Sequence, residues 1–216
     1  MTEQGGWEAN RGSDGWNGRP QLSRVLRTVA LAGRYGRLHR LAVDRLFADD
    51  GDRVLDLGCG SGLNTKALAG AVGREGRVVG VDPRVRAVHE AREEAARVGG
   101  SCSVIRGASG PLPFPDGAFD RAFSTLGVRA VPDVRSAVTE VARVVRPGGR
   151  FVVLHARPFP TLPLAFLGPL VSPGSVESSE RDPARDVPTF LERWFDTVHV
   201  ERVGGSAFVA TAELSG

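Results

Sequence analysis

Short apolar runs alternate along this chain with segments in which apolar residues recur every three or four positions. Leu22, Val25, Leu26 and Val29, then Leu38, Leu41 and Leu46, fall at helical spacing across Leu22–Phe47, and Gly33 with Gly36 predicts a break into two helices. Asp49-Asp50-Gly51-Asp52 turns the chain into a first strand, Arg53–Leu57, and a helix follows from about Asn64 to Val72. Val78–Asp82 reads as a second strand closed by a carboxylate, Val85–Val98 as a helix, and the region near Ser103–Arg106 as a third strand. Beyond a proline-rich loop, Arg121–Ser124 is the fourth strand and Ser136–Val145 a helix. Pro147-Gly148-Gly149 stops that helix, and Phe151–His155 is the fifth strand.

Residues 158–179 interrupt this rhythm with prolines and an apolar stretch, Leu162–Val171. Thr189–Phe195 resumes as a short helix. The last strands, Thr197–Val203 and Ala207–Glu213, are joined by Gly204-Gly205 at hairpin spacing. Strands alternating with helices through short links predict an α/β fold: a mostly parallel sheet of seven strands, helices on both faces, closed by a C-terminal antiparallel hairpin. Residues 1–20 lack periodicity and read as a disordered tail. The rest reads as one domain, 21–216, with an N-terminal helical cap over 21–50 and an insert over 158–188.

Length and composition fit that picture without sharpening it. The 216 residues are 41% hydrophobic and 25% charged, ordinary for a globular domain. No apolar stretch reaches the ~18 residues of a membrane span, and the start carries no signal-peptide pattern, so a cytoplasmic setting is expected. Two cysteines, Cys59 and Cys102, give neither a disulfide framework nor metal-ligand spacing. The net charge of +3 comes almost wholly from arginine, since Lys66 is the only lysine. The arginines are interspersed with acids from Arg24 to Arg202, which reads as solvated surface and argues against a nucleic-acid footprint. A small-molecule partner is expected, and the oligomeric state stays open.

The chemistry concentrates in Val54-Leu55-Asp56-Leu57-Gly58-Cys59-Gly60-Ser61-Gly62. A buried strand ends at a carboxylate and runs into a turn with glycine at every second place, so its backbone lies close against a bound ligand. Leu63 stands where a dinucleotide fingerprint needs its last glycine, which disfavours a pyrophosphate cradle. Asp56 repels phosphate and favours a cationic or amine-bearing ligand. Asp82 comes twenty positions after Gly62, the spacing at which a second-strand carboxylate reaches a ribose. Asp82-Pro83 also reads as the cap of the next helix, and both roles are compatible.

Together with three segments downstream of it, the glycine stretch resembles the motif series of class I S-adenosylmethionine-dependent methyltransferases, whose first motif it matches. Leu112-Pro113-Phe114-Pro115-Asp116-Gly117-Ala118-Phe119-Asp120, the Leu126–Asp133 stretch and Val144-Val145-Arg146-Pro147-Gly148-Gly149-Arg150 resemble further motifs of that superfamily, in its order. The resemblance covers roughly Arg53 to His155, and its nearest branch is the menaquinone/ubiquinone-biosynthesis-like (methyltransferase type 11) group. It implies S-adenosyl-L-methionine as cofactor, held by Asp56, Gly58, Cys59, Gly60, Gly62, Asp82 and Pro83, with Ala108, Ser109, Leu126 and Arg129 further along the site. Two departures stand out. Ala108 and Ser109 come after Gly107 where the family carries a Gly-Asp-Ala triplet whose acid receives the adenine amino group, and Arg129-Ala130 replaces a frequent His-His pair. Arg129 faces the cofactor carboxylate, the acceptor or water.

Three side chains are candidate catalytic groups. His155 closes the fifth strand and titrates near neutrality, either as a general base or as a strand-end histidine bonded to backbone. Tyr35 and His39 lie on the N-terminal helices that cover the crevice in this family; Tyr35 touches the cofactor or packs as an ordinary aromatic. Phe159, Leu162, Leu164, Phe166, Leu167 and Leu170 form an apolar acceptor wall or a loop that buries itself. Three accounts of function are compatible with these residues: methyl transfer to a small, largely apolar acceptor such as a quinone, lipid or secondary metabolite; a non-methylating cyclisation or isomerisation on the same fold; and a binding protein that has lost the cofactor.

Overall fold

The computed structural model describes residues 34–107, 111–125, 133–156, 187–203 and 207–216. Its strands are β1 (Arg53–Leu57), β2 (Arg77–Asp82), β3 (Cys102–Arg106), β4 (Phe119–Thr125), β5 (Val145–Ala156), β6 (Thr197–Arg202) and β7 (Ala207–Glu213). The helices are α1 (Arg34–Leu46), α2 (Thr65–Val72), α3 (Val85–Val98), α4 (Val134–Val144) and α5 (Val187–Leu191). The seven strands form one sheet in the order β3-β2-β1-β4-β5-β7-β6. The first five pair in parallel, and β7 runs antiparallel between β5 and β6, as the sequence pattern implies. Strand order reverses between β1 and β4, which puts a ligand crevice at the carboxyl ends of these strands.

Alternation along the central strands divides the core in two. Leu55, Ala122, Phe151 and Val153 face Val138 and Val141 of α4 and Leu191 of α5. Val54, Phe123, Val152 and Leu154 face the other way, toward Leu38, Ala42 and Leu46 of α1 and Leu68 and Val72 of α2. Among the described residues no helix is long and apolar enough to cross a membrane.

Besides β4 and α4, which each begin two residues earlier than expected, three elements depart from the pattern. α1 runs through Gly36 instead of breaking there, because the packing of its apolar stripe outweighs the roughly 1 kcal/mol a glycine costs a helix. α5 starts and ends earlier than expected: Trp194 and Phe195 both donate their backbone N–H to the Leu191 carbonyl, a closing turn that sends Phe195 into the core beside Phe151. β5 begins at Val145, because Pro147-Gly148-Gly149 forms an irregularity within the strand instead of a stop. Its register against β4 shifts there, from Phe119 opposite Val145 to Arg121 opposite Arg150. Of the expected cap and insert, the residues before 34 and those at 157–186 lie outside the described set.

Candidate functional site

The turn after β1 folds back onto β2. The backbone N–H groups of Gly58 and Cys59 both donate to the Val81 carbonyl, at 2.8 and 3.1 Å. Gly58, Gly60 and Gly62 adopt φ of 70°, 57° and 82°, the left-handed region in which a side chain is strained. Gly62 also lets α3 approach: a Cβ there would stand 3.1 Å from Glu94 Cβ and 3.2 Å from Ala91 Cα. Among the described residues, a Cβ on Gly60 would meet only the flexible Arg84 guanidinium, at 3.7 Å. Cys59 is buried beneath the turn and touches Gly80, and burial with the nearby Asp56 and Asp82 charges pushes its thiol pKa far up, which leaves it unreactive.

Asp56 is 1% exposed, at the tip of β1. Its Oδ1 accepts from Asn64 Nδ2 at 2.9 Å, while Oδ2 is buried with no hydrogen-bond partner among the described residues. The Asn64 carbonyl oxygen in turn accepts from Thr125 Oγ1 at 2.9 Å and from His39 Nε2 at 2.9 Å. With the amide nitrogen committed to a carboxylate, its oxygen only accepts, which fixes the proton of His39 on Nε2. Burial lifts Asp56 to a pKa of about 7; the Asn64 bond opposes the rise and the Asp82 charge adds to it. Burial lowers the pKa of His39.

Asp82, at the tip of β2, is as buried as Asp56. Its carboxylate accepts from the backbone N–H of Gly60 at 3.0 Å and of Arg84 at 2.9 Å. It does not cap the next helix, whose N-cap is Arg84 and which has no side-chain capping bond. The same carboxylate pairs with the Arg84 guanidinium. By strand alternation Asp56 and Asp82 lie on one face of the sheet, that of Val54 and Val78. Pro83 joins Asp82 to α3, and its carbonyl accepts from Arg106 Nε at 3.2 Å.

His39 shares this face and crosses Phe123 edge-on. His155 does not. It lies in phase with Phe151 and Val153 on the opposite face, 6% exposed, with its ring against Phe208 at 5.1 Å. Tyr35 lies on α1 with its side chain outside the described set, and Ala108, Ser109, Leu126 and Arg129 lie outside it as well.

Residues 55–153, which hold this crevice, match the family model described as a methyltransferase domain. That match takes in a little under half of the chain. The chain is 42% identical over 127 residues to the "2-phytyl-1,4-naphtoquinone methyltransferase" of Synechococcus elongatus, across 57% of this chain and 54% of that protein. The chain thus spans about half the length of the curated relatives it matches. A solved "SAM dependent methyltransferase from Aquifex aeolicus" superposes with a TM-score of 0.64 at 19% identity, over 90% of this chain and 97% of that one. The "[4+2]-Cyclase SpnF" superposes with a TM-score of 0.50 at 30% identity, over 55% of this chain and 44% of that one.

The crevice fits S-adenosyl-L-methionine, the cofactor of that family, by its own chemistry. S-adenosyl-L-methionine carries an ammonium, for which the partnerless Asp56 Oδ2 is a matching acceptor, and a ribose diol, for which Asp82 is one. Over Gly60 stands a flexible guanidinium, that of Arg84, which can yield to a ligand approaching the turn's backbone. Three residues of the domain escaped the sequence reading: Asn64, Thr125 and Arg84. Asparagine before a helix signals only a cap, Thr125 sits 61 residues from Asn64, and an arginine after Asp-Pro looks like solvated charge.

Proposed function

We propose that the chain transfers a methyl group from S-adenosyl-L-methionine to a small, quinone-like apolar acceptor in the cytoplasm. The observation that carries this reading is the pair of buried carboxylates on one sheet face, flanking a glycine turn, with Asp56 Oδ2 left to receive a donor. The relative named a naphthoquinone methyltransferase supports the acceptor class.

When bound, the cofactor supplies an electrophilic methyl group on a sulfonium. The protein's work is to position and to exclude water. Asp56, oriented by Asn64, holds the ammonium; Gly58, Cys59, Gly60 and Gly62 present backbone to the amino-acid and sugar portions; Asp82 accepts from the ribose, with Pro83 beside it. Ala108, Ser109, Leu126 and Arg129 complete the cofactor side in this proposal. His155, at the carboxyl tip of β5, is the candidate to take the proton that leaves the acceptor, and it stands away from the two carboxylates. His39 acts through Asn64, and Tyr35 belongs to the same covering helix.

Incubation with methyl-labelled S-adenosylmethionine and a 2-alkyl-1,4-naphthoquinol is the test. Label in the quinol fraction is the expected result. A folded protein that binds S-adenosylhomocysteine yet labels none of a quinol, phenol and lipid panel overturns the transferase reading. The identity with the cyclase favours a second reading, in which the same site holds the cofactor while a substrate cyclises. A product of unchanged mass distinguishes it.

A further inference from the structure

Asp82 is the acceptor that the proposed ribose contact requires, and its lone pairs are already taken. Oδ1 accepts from the Arg84 backbone N–H and from Arg84 Nε, each at 2.9 Å. Oδ2 accepts from the Gly60 N–H at 3.0 Å and from Arg84 Nη2 at 2.9 Å. A carboxylate offers about four such positions, so a further donor has to displace one of these. The backbone donors belong to the glycine turn and to the start of α3 and stay with the fold. The guanidinium does not: it sits on a flexible stem that is 45% exposed, while the carboxylate it covers is 1% exposed. It also lies over Gly60, where a ligand would pass.

We propose that Arg84 is a specificity-determining residue for the nucleoside, competing with the ribose hydroxyls for Asp82 so that only a vicinal diol replaces both of its side-chain bonds. The proposal rests on the site being one for a nucleoside cofactor. A diol returns two donors for the two that leave, one to each oxygen. A deoxyribose returns one and leaves a buried carboxylate oxygen short, which is costly where water is excluded. Charge is balanced in the same exchange. With the guanidinium displaced, Asp56 and Asp82 repel each other unless the ligand brings a cation, and the ammonium at Asp56 supplies it.

The test is calorimetry of S-adenosylhomocysteine and its 2′-deoxy analogue with the wild type, Arg84→Ala and Arg84→Lys. Arg84→Ala is expected to bind S-adenosylhomocysteine about three- to tenfold tighter, because a partly exposed charge pair no longer competes. The gap between the two ligands narrows in that variant, since water fills the oxygen the deoxy sugar leaves, and Arg84→Lys falls between. Unchanged or weaker binding by Arg84→Ala overturns the proposal, as does an Arg84 Nε–H resonance that keeps its Asp82-bonded shift in the saturated wild-type complex. If none of the three proteins binds the nucleoside while circular dichroism shows all of them folded, the nucleoside reading itself falls, and the proposal with it.

Discussion

Asn64 stands at the N-cap of α2 yet makes no side-chain capping bond there; its amide nitrogen donates instead to the carboxylate of Asp56, at 2.9 Å. A cap is ordinarily worth about 1 kcal/mol to a helix, and here the side chain is committed to the ligand site. Through its oxygen Asn64 also gathers Thr125 from β4 and His39 from α1. The tip of β1, the neighbouring strand and the covering helix thus converge on one amide.

Replacing Asn64 by Ala removes every one of these bonds and leaves Asp56 with neither oxygen paired. The expected loss is about 2–4 kcal/mol in urea unfolding, because a buried carboxylate is stranded. The pKa of Asp56 rises further, since the Asn64 bond is what holds it down. Carboxyl NMR titration checks the second effect independently of the first.

Asp56 and His39 give opposite pH dependences. The folded pKa of Asp56, about 7, lies above its ordinary 3.8, so its stabilising contribution is whole below about pH 4 and is lost as pH climbs through 7. The folded pKa of His39 lies below 6.5, so its contribution is whole above that value and is lost as pH falls. Asp56→Asn is therefore expected to gain on the wild type steadily from pH 5 to 8, by a few kcal/mol at the top of the range. His39→Gln, which keeps a donor for Asn64, gains only toward acid pH. Urea midpoints at each pH separate the two. Affinity for S-adenosylhomocysteine rises with pH through 7, because an ammonium prefers the ionised Asp56.

Two glycines should respond oppositely to alanine. Gly62→Ala combines positive φ with contact against α3 and is expected to cost about 2–4 kcal/mol. Gly70, within α2, has open space around its Cβ position, and Gly70→Ala is expected to stabilise by about 0.5–1 kcal/mol. Thermal unfolding of the pair is a direct comparison.

The two histidines separate affinity from turnover. His155→Gln is expected to lower methyl transfer about 100-fold or more while leaving S-adenosylhomocysteine affinity within about twofold. His39→Ala lowers that affinity through Asn64. A His155 variant that loses affinity and turnover together assigns that residue to packing against Phe208.

The strand–turn–strand frame was legible because it rests on local rules: apolar runs set β1 and β2, and glycines at every second place mark a turn needing positive φ. The convergence on Asn64 was not, since its partners come from 8, 25 and 61 residues away and an asparagine before a helix has a cheaper explanation. Arg84 was hidden for a related reason: sequence shows a charge after Asp-Pro, while only geometry shows it folding back onto the acid. Gly36 and the Pro-Gly-Gly of β5 misled because local propensity there is overruled by packing and by an irregular strand.

Cys59 gives this cradle its own clock. The thiol is wedged beneath Gly80 and sealed from solvent, and the sequence holds one other sulfhydryl, the half-buried Cys102. An alkylating reagent therefore reaches Cys59 only while the turn is unzipped from β2. Its labelling rate, read against that of Cys102, times each opening without any engineered probe, and a saturating nucleoside should slow the count.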